Sequence, residues 1–148
     1  MNKSTFEEQL EKYGSFTYKN VGVSMMPLLK QGRDAFTVRR KEPNERLKKY
    51  DVALYHRGKQ YILHRVLEVV DGGYIIRGDN CINKENVKEE DIMAVMTHYV
   101  HNGKSHSVTD KAFINYTRRM LFFSPFRIFY RKSKLKLKRF IKKLIGRK

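Results

Sequence analysis

Gln60-Tyr61-Ile62-Leu63-His64-Arg65-Val66-Leu67-Glu68-Val69-Val70-Asp71-Gly72-Gly73-Tyr74-Ile75-Ile76-Arg77 is the stretch that decides the fold. Tyr61–Val70 is rich in β-branched and aromatic residues and reads as a strand. Gly73–Arg77 reads as a second strand, and Asp71-Gly72-Gly73 between them supplies the positive φ that a tight hairpin turn requires. Working outward, short runs of the same kind recur at Phe16–Val21, Ala35–Val38, Asp51–His56 and Ile92–Tyr99, separated by Gly, Pro, Asn and Asp. His101-Asn102-Gly103-Lys104 predicts another turn, leading to a short strand at Ser107–Thr109. The one helical signal in this part is Ser4–Tyr13, where Phe6, Leu10 and Tyr13 recur at helical spacing, Ser4 or Thr5 can cap, and Gly14 stops the helix. The expectation is a mainly β domain over residues 1–110, arranged as an antiparallel meander.

Charge divides the chain. Of its 32 Lys and Arg, 14 fall in residues 111–148, a segment with no Asp or Glu, so the preceding 110 residues are nearly balanced. In Asn115–Tyr130 a broad apolar stretch is interrupted by Arg118, Arg119, Ser124, Pro125 and Arg127, too broken for a membrane span. Leu137, Phe140, Ile141, Leu144 and Ile145 then follow a helical period among lysines. Residues 111–148 therefore read as a basic amphipathic helical tail for an anionic membrane surface or a protein partner. A nucleic-acid partner is not expected, because no base-reading element accompanies the charge. The first residues contain no apolar signal core, and the expected location is the membrane periphery on the cytoplasmic face.

Cysteine chemistry is limited by Cys81 being alone, which excludes an internal disulfide. His56, His98, His101 and His106 are scattered without carboxylate or thiol partners at ligand spacing, so neither metal nor cofactor is expected. Ser24, in Gly22-Val23-Ser24-Met25-Met26-Pro27, is a hydroxyl displayed on a turn that Pro27 stiffens. Serine is a weak nucleophile without a base, and His64 on its strand is a side chain able to take and return a proton near neutral pH. Met25 and Met26 can pack beside this turn.

The ordered set GVSMMPLL, the Gly32-Arg33-Asp34 turn, Tyr50-Asp51-Val52-Ala53, YILHRV, IIRGDN and Ile92–Val95 resembles the type I signal peptidase family and its relatives among self-cleaving repressors. The resemblance spans about Gly22 to Val95. It implies a coiled, partly barrel-like sheet, Ser24 as nucleophile, His64 as general base in the manner of the serine–histidine branch, Asp79 within the GDN box as the acid that orients His64, with Glu85 as the alternative, and Met25 and Met26 as candidates to line a substrate pocket. It also implies endoproteolysis of an extended signal, leader or precursor peptide beside small side chains. The chain departs from the family pattern at Gly22, where bacterial members often carry an oxyanion-stabilising serine, and at Lys84-Glu85, where the histidine branch has paired acids. No apolar span precedes Ser24. A catalytically silent peptide- or membrane-binding module that keeps the fold is the alternative expectation.

Overall fold

The computed structural model describes residues 5–146. Thr5 caps helix α1 (Phe6–Tyr13) in a reciprocal arrangement with Glu8, and Gly14 ends it at φ 72°. Ser4, the other cap candidate, lies outside the described residues. Eight antiparallel strands follow: β1 (Ser15–Lys19), β2 (Ala35–Arg40), β3 (Val52–Arg57), β4 (Gln60–Val70), β5 (Gly73–Arg77), β6 (Glu85–Lys88), β7 (Ile92–His101) and β8 (Lys104–Ser107). They form one sheet in the order β1-β2-β7-β3-β4-β5-β6, with β8 paired to β7.

This sheet is curled into a half-barrel, and register shifts accompany the curl. They occur between Thr37 and Val38, between Leu54 and Tyr55, and between Val66 and Glu68, where Leu67 is the extra residue. Each unpaired residue bends its strand and increases the local twist. The concave side closes over a core containing Leu47, Ala53, Tyr55, Val66, Tyr74, Ile76 and Val95.

Both sequence-read turns are present. Val70 pairs with Gly73 across Asp71-Gly72, with Gly72 at φ 71°. His101 pairs with Lys104 across Asn102-Gly103, where both central residues have positive φ, as the right-handed strand twist favours. The last strand corrects the reading at Ser107–Thr109: it begins straight after this turn and occupies Lys104–Ser107. The strand Glu85–Lys88 has no counterpart among the expected elements, because Val87 is its one buried residue and gives no alternation to detect.

The chain divides into two compact units between Phe113 and Ile114. Helix α2 (Lys111–Ile145) is a single helix of 35 residues that runs through Pro125, so the interruptions at Ser124-Pro125 do not break it. Among the described residues no helix is long and apolar enough to cross a membrane.

Candidate functional site

Ser24 sits half-buried in the turn that begins at Val23 and closes through Met26 N–H donating to the Val23 carbonyl. This turn is held from far away in sequence. The Asn80 backbone N–H donates to the Ser24 carbonyl at 2.7 Å, and the Asn80 side-chain amide donates to the Val23 carbonyl at 3.0 Å. Asn80 thus joins the GDN turn to the Ser24 turn.

Gly78 fits between the two. A Cβ placed on it would lie 2.7 Å from the Ser24 carbonyl oxygen, 2.8 Å from Cys81 Sγ and 2.9 Å from His64 Nε2. The Ser24 backbone carbonyl, His64 Nε2 and Cys81 Sγ therefore converge on one point that only a glycine leaves open. Gly78→Ala is expected to push a backbone carbonyl and a fixed ring apart. The result should be a loss of about 1–3 kcal/mol in urea unfolding, with the separation of Ser24 from His64 increased.

His64 is 4% exposed on β4. The two-residue turn Gly58-Lys59 sets the β3–β4 register so that Ala53 is opposite His64, which puts Tyr55 and then Arg57 along the same face of β3. The Tyr55 hydroxyl lies 3.1 Å from His64 Nδ1 and donates to Glu85 Oε2 at 3.2 Å. Glu85 Oε1 is 3.5 Å from Nδ1, and Arg57 grips the same carboxylate. Because the Tyr55 proton points at Glu85, its oxygen accepts from His64 Nδ1–H. This network assigns the tautomer: Nε2 carries the lone pair, on the side facing Gly78 and Cys81.

Burial, partly offset by the Glu85 charge, lowers the His64 pKa to about 4. The imidazole is neutral at pH 7. An unfolded chain, with histidine near 6.5, binds a proton that the folded chain refuses between these two values. The stability contributed by neutral burial is therefore complete above pH 6.5 and is lost as pH falls toward 4, by about 3 kcal/mol. Urea midpoints at pH 7 and pH 4 should show this loss in the native chain and little of it in His64→Gln; equal losses in both would remove His64 as the cause.

Asp79 is placed differently from the expectation that prefers it behind His64. It forms a bidentate pair with Arg65, both contacts at 2.8 Å, with the two residues 1% and 0% exposed. Arg65 also donates to the Tyr50 carbonyl and lies over the Phe113 ring. Glu85, the alternative acid, is the one at His64 Nδ1. Tyr55, Arg57 and Arg65 are the site residues that sequence reading passes over, although the Gly58-Lys59 hairpin register carries the signal for the first two.

Ser24 lines a cleft of about 460 Å³ with Tyr18, Phe36, Leu54, Tyr61 and Leu63. Met25 is 2% exposed and packs in the interior, and neither it nor Met26 lines this cleft. Among the described residues, β4 residues 60–64 pair with β3 on one side only, since β5 joins at Arg65. One backbone edge of β4 beside the cleft is consequently unpaired. The Ser24 hydroxyl makes no hydrogen bond to His64 among the described residues; the atom in contact with Nε2 is Cys81 Sγ, at 4.0 Å. A larger cleft of about 730 Å³ is lined by charged groups such as Lys41 and Glu89, which pair with each other at 2.8 Å.

No protein-family model matches the chain, and no curated protein matches it significantly.

Proposed function

We propose that the chain is a serine endopeptidase of the signal-peptidase type, cutting an extended signal, leader or precursor peptide beside small side chains. The observation that carries this reading is that the Ser24 turn, through its backbone carbonyl, and a neutral His64, with Nε2 unprotonated, meet at Gly78 next to an open strand edge. A peptide strand adding to β4 residues 60–64 would gain backbone hydrogen bonds and place its side chains in the cleft that Ser24 lines.

In this mechanism His64 Nε2 takes the Ser24 proton as Oγ attacks the scissile carbonyl carbon. The Ser24 backbone N–H donates to the oxyanion, and the imidazolium then gives its proton to the leaving amine. Water, deprotonated by the same nitrogen, hydrolyses the acyl-enzyme and restores the hydroxyl. Glu85, through Tyr55, holds the tautomer and stabilises the imidazolium, so the orienting role belongs to Glu85 in place of Asp79. Asp79 holds Arg65. The hydroxyl swings to Nε2 when peptide binds, in keeping with catalytic contacts that tighten on substrate binding.

Cys81 gives the second reading, because its thiol sulfur lies 4.0 Å from His64 Nε2. An alkyl fluorophosphonate probe followed by peptide mapping separates the two. Phosphonylation at Ser24 in the folded chain, absent in Ser24→Ala and retained in Cys81→Ala, is the expected result. Modification at Cys81 alone would transfer the nucleophile to sulfur. No modification at either residue, in the presence of lipid at neutral pH, would favour a silent peptide-binding module.

A further inference from the structure

Helix α2 carries a surface pattern that becomes visible once Pro125 is seen to lie within one helix. At 100° per residue, Phe122, Phe126, Phe129, Leu137, Phe140 and Leu144 stand at i, i+4, i+7, i+15, i+18 and i+22, all within an arc of about 80°. The gap at i+11 is Ser133. All six are exposed, from 55% at Leu144 to 75% at Phe129. The stripe is about 34 Å long at 1.5 Å per residue.

Nine Lys and Arg lie between 122 and 144, and every one falls outside that arc. The stripe is therefore a clean apolar face bordered by cations and free of acids. An exposed apolar strip of this length is costly in water, and its basic flanks select what can cover it.

From this pattern we infer that α2 lies in the plane of an anionic bilayer surface. The Phe122–Leu144 stripe sinks into the headgroup and acyl boundary, and the flanking Lys and Arg extend to lipid phosphates. Four phenylalanines on one line provide the apolar burial. The basic residues supply the electrostatic attraction and reach the surface along their own aliphatic stems. A contact spanning 23 residues, interrupted at Ser133, distinguishes this arrangement from a short terminal anchor confined to 137–145. A protein groove would cover the stripe but would need acidic walls along its whole length; an anionic membrane presents that charge at every position. The inference requires no catalysis and stands apart from the peptidase reading.

The test is co-sedimentation of the full chain with vesicles of phosphatidylcholine containing phosphatidylglycerol, against phosphatidylcholine alone. Binding to the anionic vesicles, weakened by salt, is expected. Phe126→Ser with Phe140→Ser should lower the partition coefficient at least about tenfold, whereas Ser133→Leu, which closes the gap, should raise it severalfold. Leu135→Ser, an exposed apolar residue on the basic face, should change it little. All of these positions are exposed, so circular dichroism should report an intact fold in each variant. Equal loss from Leu135→Ser and Phe126→Ser with Phe140→Ser, or equal binding to neutral vesicles, would overturn the inference. So would duplex DNA displacing the vesicles with no effect of Ser133→Leu, or self-association through the stripe without vesicle binding.

Discussion

Arg65→Ala is expected to lower folding stability by about 3–5 kcal/mol, measured as a shifted urea midpoint with an unchanged slope. The magnitude follows from what is left behind. Asp79 is 1% exposed, and its two oxygens are occupied by the Arg65 Nε and Nη2 donors at 2.8 Å. Removing the guanidinium takes the bidentate cation partner from a buried carboxylate and also deprives the Tyr50 carbonyl of a donor. The ion pair itself need not be strongly stabilising, because burying both charges offsets much of their attraction. Arg65→Met with Asp79→Leu should accordingly recover most of what Arg65→Ala loses. A loss below about 1 kcal/mol for the single variant would mean that the pair behaves as a solvated surface bridge. Asp79 lies between Gly78 and Asn80, so Arg65→Ala should also loosen the turn that meets Ser24.

His64→Ala is expected to slow phosphonylation of Ser24 by about 10³–10⁴-fold, since nucleophile and base act as a unit. The wild-type rate should depend on neutral His64. With the imidazole pKa lowered to about 4, it should be flat near neutrality and fall only below about pH 5. Glu85→Gln provides the positioning test. The Glu85 charge raises the His64 pKa, so its removal should move the acid limb to lower pH and reduce the rate by about tenfold or more. A purely structural role for Glu85 would change stability and leave the position of that limb alone. An unaltered rate in His64→Ala would end the general-base assignment.

Local chemistry accounts for what was legible in the sequence. The Asp71-Gly72-Gly73 and Asn102-Gly103 turns were readable because positive φ restricts residue choice, and the flanking β-branched runs set the strand class. The identity of the acid behind His64 was not readable in the same way. Asp79 is closer to the recognised motif, but a strand directs neighbouring side chains to opposite faces, and the β4–β5 pairing of Arg65 with Arg77 sets Arg65 near the turn that carries Asp79. Glu85 reaches His64 because β6 pairs with β5 with Glu85 opposite Ile76, a register that a strand with one buried residue does not announce. The aromatic stripe of α2 was split in two by Pro125, whose missing N–H argues locally for a break that the helix overrides. Long-range bonds such as Asn80 to Ser24 leave no periodicity at all.

That last bond has a consequence for amide exchange. The Asn80 backbone proton belongs to a turn, yet it is sequestered by a carbonyl from a segment 56 residues earlier. Deuterium uptake at Asn80 should therefore track the opening of the Val23–Met26 loop, so that one slow amide serves as a clock for both segments.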